Sequence, residues 1–356
     1  MVARDMNDLS KSTATKPDER RRTRVRPVRA RLDIIAPCYN EIDGLAAFFE
    51  RLSKTMLTVH IDWRVIFVDD GSSDGTGNLL VDLADQHENV TAIFLSRNFG
   101  KEAAMSAGID HTNADAVVVI DTDLQDPPEL IFEFVQKWRE GVDVVYGKRV
   151  DRKSDTFVKR ATAGKFYETF NKLSGVKIPE NTGDFRLMDR RVIEAIKKMP
   201  ERSRFMKGMF AWVGYRSCAV EYARPERAAG ETKFNYWRLW NFALDGIVSF
   251  SSAPLRIWSY VGGAVAGIAF LYATFIILYT MITGGDLPGY ASILTAVLFL
   301  GGVQIISIGV LGEYVSRLFV EIKQRPVYLI DEVIGDSARG TDAAPVITRP
   351  ASLEQK

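Results

Sequence analysis

Two long stretches without a charged side chain lie near the C-terminus of the chain, at residues 257–282 and 287–312. Each is longer than the ~20 apolar residues that a helix needs to cross ~30 Å of hydrocarbon. A buried core helix is the alternative for one such stretch, but two in succession favour the membrane. We therefore predict a transmembrane hairpin over residues 257–316, with spans at about 257–282 and 288–314.

The residues that flank these stretches predict the orientation of the hairpin. Residues 283–289, between the stretches, contain glycines, a proline and a single acid, which suits a tight turn. Cations lie on the other side of both stretches, and positive charge favours the cytoplasmic side of a membrane. These cations are Arg256 before the first stretch and Arg317, Lys323 and Arg325 after the second. The large N-terminal region is therefore expected in the cytoplasm.

The segment just before the hairpin, residues 234–256, mixes aromatic side chains with cations. This composition is typical of amphipathic helices that lie in the membrane interface, with the apolar side in the headgroup boundary. An amphipathic helix packed on the soluble domain is the alternative. Because the hairpin follows directly, we favour interfacial helices here.

Composition limits the remaining possibilities. The formal net charge is +1, and the basic excess is confined to residues 1–31, which carry ten Lys or Arg against four acids. We predict that this segment is a disordered basic tail, and that residues 317–356 are a cytoplasmic juxtamembrane segment and a disordered tail. No aromatic platform accompanies the basic tail, so nucleic-acid binding is not expected. Cys38, Cys218 and three scattered histidines offer neither a disulfide framework nor zinc-ligand spacing.

Between the tail and the interfacial segment, residues 32–233 alternate between strand and helix patterns. Short β-branched runs are separated by helical segments, and the first helix is expected from Gly44 to about Met56. Such alternation predicts an α/β domain with a mainly parallel sheet. The predicted strands are Leu32–Ala36, Arg64–Val68, Val90–Leu95, Ala116–Ile120 and Val142–Tyr146.

Three of these strands end in polar, acidic sequences, and parallel sheets bind ligands beyond the carboxyl ends of their strands. The three sequences span residues 37–41, 69–74 and 121–126. Asp121 and Asp123 follow a buried strand at positions i and i+2. They could bind Mg²⁺ or Mn²⁺ through oxygen ligands, with substrate phosphates completing the shell. The alternative is a turn in which an Asp such as Asp126 caps the next helix.

The sequence Asp69-Asp-Gly-Ser-Ser-Asp74 is ambiguous in the same way. A strand end, a glycine turn and an N-cap would explain most of it as architecture. A carboxylate at this position could equally accept hydrogen bonds from a ribose or a base edge. Three weak signals at one edge of a sheet together indicate a nucleotide site.

Four motifs in this region resemble those of glycosyltransferase family 2, whose members have the GT-A fold. They are Pro37-Cys-Tyr-Asn-Glu41, Asp69-Asp-Gly-Ser-Ser-Asp74, Asn98-Phe-Gly-Lys101 and Asp121-Thr-Asp-Leu-Gln-Asp-Pro-Pro128. The two-span tail, with Gly312-Glu-Tyr and Arg325-Pro-Val-Tyr328, resembles the bacterial polyprenyl-phosphate (bactoprenol) glycosyltransferases, relatives of dolichol-phosphate mannose synthase. The expected fold is therefore a Rossmann-like GT-A domain, an interfacial helix and a transmembrane hairpin.

The resemblance implies roles for individual residues. Asp121, Asp123 and Gln125 would bind a divalent metal, Mg²⁺ or Mn²⁺, and the donor diphosphate. Asp184, in Asn181-Thr-Gly-Asp-Phe-Arg186, would lie near the acceptor as a candidate base. Arg227 and Lys233 belong to a loop that resembles the basic loop closing on substrate phosphates, with Thr232 in place of a common Ser. The nucleotide-sugar would contact Pro37, Tyr39, Glu41, Asp70 and Lys101, together with Asp121 and Gln125.

The chemistry of the implied reaction refines these roles. The acceptor would be a lipid phosphate with a second pKa of about 6, so it is largely ionised at neutral pH and needs no strong base. We therefore favour a positioning role for Asp184. Cations are needed instead, because an anionic acceptor must approach an anionic donor. The candidates for this phosphate contact are Arg149, Arg160, Arg227 and Lys233.

The expected activity is inverting transfer of a hexose to polyprenyl (undecaprenyl) phosphate at the cytoplasmic face of a bacterial inner membrane. The resemblance favours UDP-glucose as donor, and GDP-mannose is the alternative. Two rivals are a processive polysaccharide synthase, for which two spans are few, and an inactive membrane scaffold, against which the intact acidic motifs argue. A homo-oligomer is expected, with a tetramer as one candidate.

Overall fold

A single sheet of eight strands lies at the centre of the computed structural model, which describes residues 26–150, 179, 182–223, 253–283 and 289–335. The strand order is β7-β5-β6-β4-β1-β2-β3-β8. Within these residues β6 and β8 are antiparallel to their neighbours, and the other six strands share one direction. The strands are β1 Arg31–Cys38, β2 Asp62–Asp69, β3 Val90–Leu95, β4 Ala116–Val119, β5 Val144–Arg149, β6 Thr182–Asp189, β7 Ser217–Tyr222 and β8 Ile330–Ile334.

Helices cover both faces of this sheet, which confirms the predicted α/β class with a mostly parallel sheet. The helices α1, α2 and α4 pack on one face, and α3, α5 and α6 on the other. They are α1 Ile42–Val59, α2 Thr76–Gln86, α3 Lys101–His111, α4 Leu130–Arg139, α5 Arg190–Lys197 and α6 Met206–Trp212. Two further helices, α7 Ala253–Thr283 and α8 Tyr290–Lys323, follow.

The central strands are buried on both faces, which explains their nearly continuous apolar sequences. In β1, Leu32 and Ile34 face α1 and α4, whereas Ile35 faces α3. Strands that lie side by side and point the same way must end at the same edge. The sequences that follow β1, β2 and β4 are thereby brought together.

The folded domain begins earlier than predicted. Arg26 is only 8% exposed, and its guanidinium lies 5.3 Å from the Trp138 ring centroid. It pairs with Asp143 at 2.9 Å and with Asp189, and it donates to the carbonyl of Val142 at 3.0 Å. Residues 26–31 therefore do not belong to a disordered tail. The prediction failed there because this arginine, inside a basic run, is buried by carboxylates that lie more than a hundred residues away.

Helices α7 and α8 coincide with the two predicted apolar stretches and contact each other. Within the described residues, α7 is the helix that is long and apolar enough to cross a membrane, over Ile257–Tyr279 with a mean hydropathy of 2.2. Large apolar side chains on both helices are exposed, among them Phe270, at 72%, and Ile305, also at 72%. The predicted interfacial helices at 234–256 lie almost wholly outside the described residues.

After α8 the chain returns to the α/β domain, so the part of the predicted juxtamembrane segment and tail up to residue 335 is folded against that domain. The backbone N–H groups of Arg202 and Ser203 donate to Glu321 Oε1 at 2.9 and 3.2 Å. The Tyr328 hydroxyl donates to Asp110 at 2.8 Å, and β8 then pairs with β3 as an antiparallel edge strand. The end of α8 is thus fixed to the domain by polar contacts that sequence periodicity does not reveal.

We predict that Arg26→Ala destabilises the domain by about 3 kcal/mol or more, because it leaves Asp143 and Asp189 buried with less compensation. Thermal unfolding of the purified protein in detergent measures this loss. Arg29→Ala is the matched control, because Arg29 is exposed and lies three residues away. Equal stability of the two variants would show that Arg26 does not anchor the start of the fold.

Candidate active site

Side chains and backbone groups join the loops that follow β1 and β2. The N–H of Asn40 donates to Ser72 Oγ at 2.9 Å, and the N–H of Ser73 donates to Asn40 Oδ1 at 2.8 Å. Asn40 has a φ of 55°, in the left-handed region that Asn tolerates better than most residues. This turn sends the chain from β1 into α1 and leaves Tyr39 48% exposed at the edge of the sheet.

Two of the acids in the β2 loop serve the loop itself. Asp69 Oδ1 accepts hydrogen bonds from the N–H and hydroxyl of Ser72, at 3.2 and 2.5 Å. Asp74 Oδ1 accepts from the N–H and hydroxyl of Thr76, at 2.9 and 2.6 Å. Asp69 and Asp74 therefore stabilise the turn and the start of α2, as the structural interpretation of this motif predicts.

Asp70 links the β2 loop to the start of α3. Its two oxygens accept the backbone N–H groups of Phe99 and Gly100, at 2.7 and 2.8 Å. The neighbouring Gly71 has a φ of 73°, and a Cβ there would lie 2.7 Å from the backbone carbon of Arg97. Only glycine fits so close an approach. Asp70 thus fixes the position at which Lys101 begins its helix.

Lys101 lies between two carboxylates from different strands. Its Nζ is 2.8 Å from Asp121 Oδ2 and 2.7 Å from Asp184 Oδ2. Burial lowers the pKa of Lys101, but the charges of Asp184 and Asp121 outweigh that effect and raise the pKa above its ordinary value. Lys101 is therefore a permanent cation that joins the end of β4 to the start of β6.

The two carboxylates have different proton affinities. Burial raises the pKa of Asp121, although Lys101 opposes that rise. Burial also raises the pKa of Asp184, but there the charges of Lys101 and Lys207 win and hold the pKa at about 2. A carboxylate with so low a pKa is a poor proton acceptor near neutral pH. This favours positioning over general-base catalysis for Asp184.

The sequence after β4 makes a tight turn that directs oxygen atoms toward the edge of the sheet. Leu124 has a φ of 57°, a strained value for a residue of this type. The turn lets Asp123 Oδ1 accept the N–H of Gln125 at 3.1 Å, and it buries Gln125 with its Oε1 lacking a partner among the described residues. Burial and the charges of Asp123 and Asp121 raise the pKa of Glu41. This concentration of negative charge and unused acceptors suits a cation.

A cavity of about 360 Å³ lies over these loops. Seven residues predicted from sequence line it, together with Cys38, Asn98, Gly100, Ala104 and Thr122. Gln125, also predicted, is not part of the lining. The predicted lining residues are Pro37, Tyr39, Glu41, Asp70, Lys101, Asp121 and Asp123.

Of the four cations predicted to contact substrate phosphates, the structure describes one. Arg149 donates to the Tyr222 hydroxyl at 3.0 Å and to Asp126 Oδ1 at 3.3 Å, so its charge is already paired. Asp126 is thereby occupied by Arg149 and Tyr222, whereas the sequence suggested a helix cap for it. Arg160, Arg227 and Lys233 lie outside the described residues.

Sequence reasoning missed three charged side chains that surround Asp184. They are Glu102 on α3, Arg186 on β6 and Lys207 on α6. Arg186 lies in a motif that resembles those of the family, but sequence reasoning assigned it no role. Lys207 lies in Ser203-Arg-Phe-Met-Lys-Gly208, and it comes near Asp184 only when α6 is folded against β6. Strand alternation could have shown that Asp184 and Arg186 share a face.

A larger cavity, of about 560 Å³, lies elsewhere and is lined by Arg26, Trp138, Asp189 and Arg191 among others. Asp189 in this lining is committed to the structure, since it pairs with Arg26 and accepts a hydrogen bond from the Trp138 indole at 2.9 Å. The cavity of about 360 Å³ is the better candidate for an active site because it combines an accessible cation with several carboxylates.

Comparison with known proteins identifies two matching regions. Residues 33–197 match the family described as glycosyl transferase family 2, and residues 253–318 match the GtrB C-terminal hairpin. An uncharacterised glycosyltransferase of Synechocystis sp. is 53% identical over 304 residues, which cover 85% of this chain and 96% of the relative. A prophage bactoprenol glucosyl transferase homolog of Escherichia coli is 48% identical over 303 residues, covering 85% and 99%.

Among solved structures, mannosyl-3-phosphoglycerate synthase from Rubrobacter xylanophilus aligns with a TM-score of 0.44 at 19% identity. The alignment covers 64% of this chain and 74% of that one.

We predict a pH-dependent stability that depends on Glu102. Burial and then Asp184 raise the pKa of Glu102 from 4.5 to about 7, so the folded protein binds this proton more tightly than the unfolded chain. Stability conferred by that proton is present below pH 4.5 and is lost as pH rises through 7. Glu102→Gln removes the titration and keeps an acceptor for the Met206 N–H.

The melting temperature of Glu102→Gln relative to wild type should therefore increase between pH 5 and pH 8. Glu88→Gln, at an exposed carboxyl, is the control and should show the same difference at both pH values. A pH-independent difference for Glu102→Gln would contradict the account.

Proposed function

Because the chain belongs to glycosyl transferase family 2 and carries the GtrB-type C-terminal hairpin, we propose that it transfers glucose from UDP-glucose to polyprenyl phosphate. The product is a polyprenyl-phosphate-sugar. The observation that carries the proposal is the cavity of about 360 Å³ at the strand ends, where Lys101 and the carboxylates of Asp121 and Asp123 meet. The names of the relatives, bactoprenol glucosyl transferase among them, support the same acceptor class.

In this proposal the nucleotide lies in the part of the cavity formed by the β1 and β2 loops. Tyr39 offers an exposed ring and Pro37 an apolar edge, both suited to a base. The oxygens of Asp70 already accept two backbone N–H groups, so its main contribution is to hold the 98–100 loop against the ligand. The diphosphate then lies over Asp121 and Asp123.

A divalent metal fits this donor set. No group of three or more His, Cys, Asp or Glu suited to a metal occurs in the described part of the chain. Asp121 and Asp123 would supply two oxygen ligands of the kind that Mg²⁺ or Mn²⁺ completes with water and substrate phosphates, and Gln125, whose buried Oε1 has no partner among the described residues, would be the candidate third ligand. When bound, the metal offsets the negative charge that develops on the departing nucleoside diphosphate.

The other residues need not move a proton. The acceptor phosphate, with a second pKa of about 6, supplies an ionised oxygen at neutral pH. Asp184 remains ionised and orients Lys101, whose ammonium adds positive charge beside Asp121. Direct displacement by the acceptor oxygen inverts the anomeric carbon, so an α-linked donor gives a β-linked product.

The hairpin supports a membrane location for this chemistry. Side chains along Ile257–Tyr279 are exposed and apolar, an arrangement that is unfavourable in water over so large an area. Arg317 and Lys323 lie toward the C-terminal end of α8 and Arg325 follows it, and positive charge favours the cytoplasmic side. We therefore propose a multi-pass protein of a bacterial inner membrane, with the catalytic domain at the cytoplasmic face where the lipid phosphate lies.

A product assay tests the proposal. Purified protein in nanodiscs with undecaprenyl phosphate should transfer one sugar from labelled UDP-glucose, and little from GDP-mannose. Full metal removal should abolish transfer, and Asp123→Asn should reduce the rate by about a hundredfold or more, because charge stabilisation of the leaving group is lost.

The control for that assay is Asp85→Asn, an equally conservative change at an exposed site on α2. Transfer that survives chelation would refute the proposed metal dependence. A polymeric product would indicate a polysaccharide synthase, and a preference for GDP-mannose would show that UDP-glucose is not the donor.

A further inference from the structure

A third cavity, of about 170 Å³, lies near Asp184 and is separate from the one assigned to the donor. Its lining combines two cations, Arg186 and Lys207, with aromatic and apolar side chains, including Tyr146 and Phe210. A drug-sized ligand needs roughly 300 Å³ or more. This cavity is therefore too small for a nucleotide-sugar, but a phosphate group fits it.

Arg186 is held rigidly in this cavity. The residue is 6% exposed, and its guanidinium carbon lies 4.0 Å from the ring centroid of Phe210. It donates to two backbone carbonyls, those of Gly183 at 2.8 Å and Asp184 at 3.3 Å. Burial lowers the pKa of Arg186 to about 10, so it remains charged at neutral pH. Both acceptors are uncharged carbonyls, although the carboxylates of Asp184 and Glu102 lie near enough to raise its pKa against the effect of burial.

Lys207 supplies a second positive charge on the same side of Asp184. No ion pair joins it to a carboxylate within the described part of the chain. Its charge lowers the pKa of both Asp184 and Glu102, so it lies near both groups. Glu102 accepts the Met206 N–H at 3.1 Å, and with a pKa of about 7 it is only partly ionised at neutral pH. The local charge therefore remains positive.

The ion pair between Lys101 and Asp184 links the surroundings of the donor cavity to those of the smaller cavity. Lys101 lines the donor cavity, and Asp184 is flanked by the two cations of the smaller cavity. Displacement with inversion requires the attacking and departing oxygens to lie on opposite sides of the reacting carbon. The smaller cavity is therefore the candidate for the side from which the attacking oxygen approaches.

We propose that Lys207 and Arg186 bind the phosphate of the lipid acceptor, with the apolar lining of the cavity contacting the first part of its chain. This inference rests on the proposed function. An oxygen of the bound phosphate forms the new bond to the anomeric carbon, the bond from that carbon to the diphosphate oxygen breaks, and the nucleoside diphosphate leaves with the electron pair. No proton transfer or further reactant is needed.

The test compares Lys207→Gln with wild type for kinetics in both substrates. The KM for a short-chain polyprenyl monophosphate should rise about tenfold, the change expected when one charge-assisted hydrogen bond is lost. The KM for the donor and the affinity for UDP should change by less than about twofold, since Lys207 does not line that cavity. Lys207→Arg, which keeps the charge, should restore most of the acceptor KM.

Two controls separate phosphate binding from folding. Lys198→Gln removes an exposed lysine of the same domain and should leave both KM values unchanged. Polyprenol, which lacks the phosphate, should compete against the acceptor equally weakly in wild type and Lys207→Gln. The melting temperature and UDP affinity of Lys207→Gln report whether it is folded.

A raised donor KM with an unchanged acceptor KM would overturn the assignment, and so would two unchanged KM values. These outcomes differ from failure of the proposed function, in which wild type itself would transfer no sugar to polyprenyl phosphate.

Discussion

The ion pairs of Lys101 with Asp121 and Asp184 determine the arrangement of the whole site. Two carboxylates from β4 and β6 cannot both stay ionised in a partly buried position unless a cation lies between them. Lys101 occupies that position because Asp70 accepts the N–H groups of Phe99 and Gly100 and so fixes the start of α3. The parallel strands bring their ends to one edge, and this lysine sets the spacing of the acids there.

In our proposal the Lys101–Asp184 ion pair also joins the donor cavity to the smaller cavity beside Arg186 and Lys207. In the donor cavity the carboxylates are in excess, which suits a cation and a diphosphate. In the smaller cavity Arg186 and Lys207 are in excess, which suits an anion. A transferase that joins an anionic acceptor to a sugar on an anionic leaving group needs both cavities, because unshielded phosphates would repel each other. The low pKa of Asp184 is a consequence of this arrangement and leaves it a poor base.

Sequence patterns predicted the features that follow from local rules. The alternation of strands and helices was recognisable because buried parallel strands have continuous apolar sequences. The acidic sequences after three strands were recognisable because the ends of parallel strands meet at one edge of the sheet. Arg26 was not, because its partners Asp143 and Asp189 come from the far end of the domain. Strand β8 was missed for a similar reason, since a short strand after a membrane hairpin has no local sign of its pairing with β3. Lys207 could not be assigned from sequence, because its nearness to Asp184 depends on the packing of α6.

Binding of Mn²⁺ tests the central claim most directly, that Asp121 and Asp123 form an incomplete metal site completed by the donor diphosphate. Electron paramagnetic resonance titration of the purified protein should show weak Mn²⁺ binding alone and binding at least tenfold tighter with UDP, as expected when phosphate oxygens complete the shell. Asp123→Asn should lose the gain from UDP, whereas Asp85→Asn should keep it. Mn²⁺ binding that is indifferent to UDP, or unaffected by Asp123→Asn, would contradict the account.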